Sequence, residues 1–140
     1  MSAESIATVF KKDGQRTTKQ RRAVAEIVES LEVFASAQSI HEVLRSRGNP
    51  VGLSTVYRNL QALADVGAID SLRDQSGEVL YRKCGDQQHH HHLVCESCGT
   101  TVEIAASAVE KWTSRVAEDN GFVNVSHSIE IFGTCPSCAA

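Results

Sequence analysis

The chain has 140 residues, enough for one domain or two small ones. At 41% hydrophobic and 22% charged, with two prolines, it is neither a disordered tail nor a collagen-like repeat. The net charge of −3 conceals an asymmetry: residues 1–83 carry 12 lysines and arginines against 10 acidic residues, whereas residues 84–140 carry 2 against 7.

No apolar run approaches the roughly 18 residues of a membrane span, and residues 1–12 lack the apolar stretch of a signal peptide, so a soluble, cytoplasmic protein is expected. All five cysteines and five of the six histidines fall in the acidic second part. In a reducing compartment such cysteines point to metal ligands or redox thiols rather than disulfides. The expected organisation is a mildly basic part over residues 1–84, a short polar hinge over 85–88, and a ligand-rich part over 89–140.

In chain order, Ile6, Val9 and Phe10 have helical spacing in a short leading segment. Val24, Ile27, Val28 and Leu31 form one apolar stripe on a helix starting near Thr17 or Thr18. Ser36 reads as the N-cap of a helix that turns Ile40, Val43 and Leu44 inward and stops at Gly48, with Pro50 beyond. A further helix starts after Ser54, buries Val56, Leu60, Leu63 and Ala64, and is closed by Gly67. Two strand-like runs follow, Ala68–Arg73 and Glu78–Lys83, joined by Asp74-Gln75-Ser76-Gly77. Helices followed by a β-hairpin give the layout of a winged helix-turn-helix.

On the helix after Ser54 the inward positions are filled by apolar residues, which leaves Thr55, Tyr57, Arg58 and Gln61 pointing outward near its start. The first turn of a recognition helix is the part that reaches base edges in the major groove. A tyrosine ring packs on thymine methyls, and arginine reaches phosphate or a guanine edge. Between Lys11 and Arg22 stand six basic residues and one acidic one. Arg16, Lys19 and Arg21 among them would contact phosphates, the contacts that dominate affinity for DNA. The modest total charge favours a homodimer with two such faces, and hence double-stranded operator DNA with a roughly palindromic site.

The second part carries Cys95-x-x-Cys98 and Cys135-x-x-Cys138. Four thiolates at this spacing fit a closed, structural zinc site, with a strand and a helix needed in the 36-residue gap to bring the knuckles together. The alternative is a thiol-redox protein cycling its CxxC pairs as disulfides, although a redox CxxC normally occurs once, at a helix N-terminus. The lack of an H-x-E motif counts against a hydrolytic zinc enzyme of the deaminase type.

The run His89-His90-His91-His92 leads directly into Leu93-Val94-Cys95. Alternate residues of a strand face opposite ways, so His89 and His91 would serve one metal site and His90 and His92 another. Val123, Val125, His127, Ile129 and Ile131 alternate as on one strand face, which sets His127 among apolar residues beside the first pair. Glu110 either completes that third set or, as Ser107-x-x-Glu110, caps the helix bearing Val109, Trp112 and Val116. Cys84, the unpaired cysteine, is either a free structural thiol or a ligand near Asp70 across the hairpin. With His90 and His92 these give one carboxylate, one thiolate and two imidazoles, whose two negative charges balance a divalent zinc ion. Up to three zinc ions per subunit follow.

At these residues the chain resembles the ferric uptake regulator family, and within it the zinc uptake regulator branch. The matching stretches are Gly14-x-Arg16-x-Thr18-x-Gln20-Arg21, Leu53-Ser54-Thr55-Val56-Tyr57-Arg58-x-Leu60, the His89–His92 block with Leu93-Val94-Cys95-x-x-Cys98, and Gly133-Thr134-Cys135-x-x-Cys138. The resemblance implies an α+β protein, with an N-terminal winged helix-turn-helix domain and a C-terminal α/β dimerisation domain. It implies a homodimeric, metal-dependent transcriptional repressor and no enzyme. It implies structural zinc on Cys95, Cys98, Cys135 and Cys138, a sensing site on Asp70, Cys84, His90 and His92, and a further site on His89, His91, Glu110 and His127. Iron- and manganese-sensing relatives place a histidine where this chain has Phe34 and lack a sulfur ligand at Cys84. A thiolate favours zinc over the harder iron(II) or manganese(II), which sets the iron- and peroxide-sensing alternatives behind repression of zinc-uptake genes.

Overall fold

The computed structural model describes residues 19–83 and 89–140. Ile6, Val9, Phe10, Arg16, Cys84 and the 85–88 segment lie outside the described residues. The chain divides into two compact units, Met1–Gln87 and Gln88–Ala140.

Among the described residues the first unit holds three helices and a three-stranded sheet. Helix α1 (Lys19–Ser30) buries Val24, Ile27 and Val28, with Leu31 half-buried just beyond its end. Strand β1 (Ala35–Ser36) runs into helix α2 (Ala37–Ser46), where Ser36 caps the helix by accepting the Ser39 N–H at 3.1 Å. Ile40 and Leu44 point into the core, but Val43, expected to join them, is 37% exposed. The stripe is centred on Ala37, Ile40 and Leu44, which puts Val43 about a quarter-turn away, at the stripe's margin.

Helix α3 (Leu53–Asp65) starts earlier than expected. Gly52 rather than Ser54 is its N-cap residue, and the Gly52 carbonyl accepts the Val56 N–H at 3.0 Å, which draws Ser54 into the first turn. Val56, Leu60 and Leu63 are fully buried. Gly67 ends the helix in the left-handed region at φ +75°, so that Ala68 donates its N–H to the Leu63 carbonyl at 2.9 Å.

Strands β2 (Asp70–Arg73) and β3 (Val79–Arg82) pair antiparallel with Leu72 opposite Leu80. Asp74 holds the turn between them, one carboxylate oxygen accepting the N–H groups of Ser76 and Glu78 and the Ser76 hydroxyl. Strand β1 lies on the other edge of β3, with Ala35 opposite Tyr81, giving the order β1-β3-β2. The two-residue β1 has no alternation to betray it in the sequence. Helices and sheet enclose one core that includes Val24, Leu44, Leu60 and Tyr81. This is the expected winged helix-turn-helix arrangement.

The second unit contains strand β4 (His91–Cys95), strand β5 (Thr101–Ile104), helix α4 (Ser107–Asp119), strand β6 (Glu130–Gly133) and the short helix α5 (Pro136–Ala139). The sheet order is β5-β4-β6, with β4 antiparallel to β5 and parallel to β6. The parallel pair requires a crossover, which β5 and α4 provide within the gap between the knuckles.

The alternating run 123–131 forms a strand only over its last residues. Asn124 adopts φ +55°, which breaks an extended run, and Val123 is 82% exposed. His127 is therefore half-buried outside any strand and not set in an apolar sheet face. Helix α4 buries none of its residues, and Trp112 is 62% exposed. Among the described residues no helix is long and apolar enough to cross a membrane.

Candidate metal centres and nucleic-acid interface

The parallel pairing of β4 and β6 places Cys95 opposite Gly133 and so brings both CxxC knuckles to one end of the sheet. Cys95 ends β4, and its carbonyl accepts the Gly99 N–H at 2.9 Å to turn Cys98 back. Cys135 stands at the N-terminus of α5, with Cys138 one turn on. All four sulfurs lie within 4.8 Å of one another, and Cys98 Sγ is 3.7 Å from Cys135 Sγ. A tetrahedral zinc ion with Zn–S distances of about 2.3 Å has S···S edges of about 3.8 Å, so the tetrad fits zinc.

The Cys135 N–H donates to Cys95 Sγ at 3.3 Å. This N–H and that of Cys98 hold the Cys95 thiol well below its ordinary value, at about 6. Cys98 is lowered by the Thr100 hydroxyl at 3.0 Å and the Thr100 N–H. Cys138, crowded by the sulfurs of Cys135 and Cys98, is pushed up to about 12. Four sulfurs at this separation cannot all carry negative charge without a cation among them.

A second set gathers around Glu110. Its carboxylate oxygens lie 2.7 Å from His91 Nε2, 3.1 Å from His89 Nε2 and 3.1 Å from His127 Nε2. His89 Nε2 and His127 Nε2 are 3.2 Å apart. With Zn–N distances of 2.0–2.1 Å, a tetrahedral ion has N···N edges of about 3.3 Å, close to this spacing. Although desolvation raises the Glu110 pKa, the hydrogen bonds from His91 and His127 prevail and lower it. Of the two roles open to Glu110, the capping box is not formed: Ala106 is the N-cap residue of α4 and no side chain caps it.

Strand β4 starts only at His91, so His91 and His92 alone of the histidine run stand on the strand, yet the two pairs still face different groups. His90 Nε2 and His92 Nε2 meet at 3.1 Å, away from the His89–His91 pair. His92 is buried and its Nδ1–H donates to Glu130 Oε2 at 3.0 Å. Glu130 stands opposite His92 in the β4–β6 register, and Glu103 opposite it in the β4–β5 register. Sequence reasoning missed Glu130, because nothing local announces a parallel register across 38 residues. Asp70 is half-buried at the start of β2 in the first unit, and Cys84 lies outside the described residues.

In the first unit, Tyr57 is 47% exposed and Arg58 and Gln61 are exposed on α3, as expected, whereas Thr55 is half-buried. Lys19 is exposed and Arg21 half-buried at the start of α1. Tyr81 O–H points from β3 to Gln61 Oε1 at 3.5 Å, next to the exposed face of α3.

A family model described as the ferric uptake regulator family matches residues 12–132. The zinc uptake regulation protein of Mycobacterium tuberculosis is 51% identical over 125 residues, covering 89% of this chain and 95% of that protein. The chain belongs to the ferric uptake regulator family. Its members are transcription regulators, not enzymes. Among solved structures, the M. tuberculosis FurB zinc uptake regulator is 51% identical, covering 86% of this chain and 92% of that one, with a TM-score of 0.51. A zinc uptake regulator complexed with zinc and DNA, 23% identical over 94% of this chain and 89% of that one, shares the fold with a TM-score of 0.76. Within the ferric uptake regulator fold, Phe34 is buried with the Arg82 guanidinium 5.4 Å from its ring centroid, a position that offers no ligand atom.

Proposed function

We propose that this member of the ferric uptake regulator family is a zinc-responsive transcriptional repressor that binds operator DNA as a zinc-loaded homodimer and represses zinc-uptake genes. The observation that carries the reading is the convergence of thiolate and imidazole donors at tetrahedral zinc spacing in a chain 51% identical to a zinc uptake regulation protein. That likeness favours zinc over the iron- and peroxide-sensing alternatives and regulation over thiol-redox cycling.

In this reading Cys95, Cys98, Cys135 and Cys138 hold structural zinc. Asp70, Cys84, His90 and His92 form the regulatory set, and His89, His91, Glu110 and His127 a third, for up to three ions per subunit. Arg16, Lys19 and Arg21 contact phosphates, while Thr55, Tyr57 and Arg58 face the bases of a roughly palindromic operator. The DNA-binding domain spans 1–84, the hinge 85–88 and the dimerisation domain 89–140. Trp112, Phe122, Val123 and Val102 are large apolar side chains left exposed on the second unit, which supports coverage by a second copy. The working compartment is the cytoplasm.

The regulatory set takes two anionic donors from before the hinge and two imidazoles from after it. A bound zinc ion supplies the positive charge that offsets Asp70 and Cys84. Removal of the ion removes that link between the donors before the hinge and those after it. Such coupling is typically worth about 1–3 kcal/mol, or roughly 5- to 150-fold in affinity.

The test is selection of duplexes from a random library by the zinc-loaded chain, followed by anisotropy titrations on the selected sequence with free zinc buffered low and high. A symmetric consensus and a gain of roughly tenfold or more with zinc are expected. Equal affinity at every zinc level would refute the reading.

A further inference from the structure

We infer that Glu130 is a positioning residue for His92: by accepting the Nδ1–H it fixes the imidazole tautomer and aims the Nε2 lone pair to the side where His90 Nε2 stands. The inference rests on the reading of His90 and His92 as a regulatory pair, and it concerns a residue outside the ligand sets assigned above. A neutral imidazole carries one proton, and only the nitrogen without it binds a metal. Unaided, the two tautomers interconvert freely. Here the Glu130 carboxylate lies 3.0 Å from Nδ1, and the His92 ring is buried, so water has little part in choosing the tautomer. His90 Nε2 at 3.1 Å from His92 Nε2 marks the ligand-bearing side of the ring.

The placement is set by the backbone. Glu130 opens β6, directly beside His92 in the parallel β4–β6 register, so the partner is held by the sheet rather than by a loop. The arrangement Glu130–His92 is the carboxylate–histidine geometry that makes a ligating nitrogen more basic and fixes ring orientation. Loss of such an outer partner typically weakens metal binding by roughly 10- to 100-fold. Glu130 is also only partly exposed, at 20% of its side chain, so its carboxylate is not simply a solvated surface charge.

The experiment uses the full-length chain with the cysteine-held zinc retained and the weaker sites stripped by a chelator. Long-range proton–nitrogen correlation spectra report which nitrogen of His92 carries the proton. The unaltered chain and Glu130→Gln, whose carbonyl still accepts, are expected to show the Nδ1–H form. Glu130→Ala is expected to shift toward the Nε2–H form and to weaken zinc binding at the stripped sites by roughly 10- to 100-fold in chelator competition. An Nε2–H tautomer in the unaltered chain, or no change in Glu130→Ala, would overturn the inference. A tautomer that shifts with unchanged zinc affinity would instead overturn the assignment of His92 as a ligand while leaving Glu130 in control of its proton.

Discussion

Donor residues speak most clearly in sequence when the spacing between them is local. Two CxxC pairs and four consecutive histidines announce their chemistry because a knuckle and a strand are each defined by a few residues. The structure gathers the sulfurs, and likewise the His89, His91, Glu110 and His127 donors, each set within 4.8 Å, although His127 reaches its set from outside any strand. Glu130 was not legible, since its partnership with His92 depends on which strands lie side by side. Protonation in the tetrad leads to a prediction at the same scale. Cys138 is raised to about 12, so at neutral pH it keeps its proton in the metal-free protein, while Cys95 at about 6 has already lost its own. Zinc loading must therefore expel the Cys138 proton. Chelator competition between about pH 6.5 and 8.5 should show zinc affinity rising by about tenfold per pH unit for each proton released. An affinity independent of pH over that range would show that no thiol proton is displaced.

Helices and their ends were largely readable, because caps and stops are chemical as well as geometric. Ser36 caps α2 and Gly67 closes α3 as their positions in the sequence suggest. The start of α3 departs from the expectation because a backbone carbonyl, that of Gly52, begins the helix before the first hydroxyl residue. The run from Val123 to Ile129 departs from its alternation for a different reason. Alternation reports that one face prefers to be covered, but it does not identify the cover, and here the face stays open within the single chain. Gly67→Ala isolates the contribution of one such element end. An added Cβ would meet nothing within 4 Å, so the cost is that of φ +75° alone. Urea unfolding should show a loss of about 1 kcal/mol. A neutral or stabilising effect would mean that the left-handed turn relaxes without penalty.

At the scale of the whole molecule, the charge asymmetry of the sequence corresponds to two compact units with different chemistry. The first presents an exposed helix face bearing Tyr57, Arg58 and Gln61, and the second holds the thiolate and imidazole sets. In the proposed function the regulatory set is the one whose donors come from both sides of the proposed hinge. In that account the cysteine tetrad maintains the fold of the second unit, and Cys84 belongs to the set that responds. The decisive measurement is the ratio of operator affinities with and without buffered zinc in the Cys84→Ala chain, with the tetrad still loaded. The account predicts that this ratio falls to about 1 from the larger value of the unaltered chain. A Cys84→Ala chain that keeps the full zinc-dependent gain would contradict it.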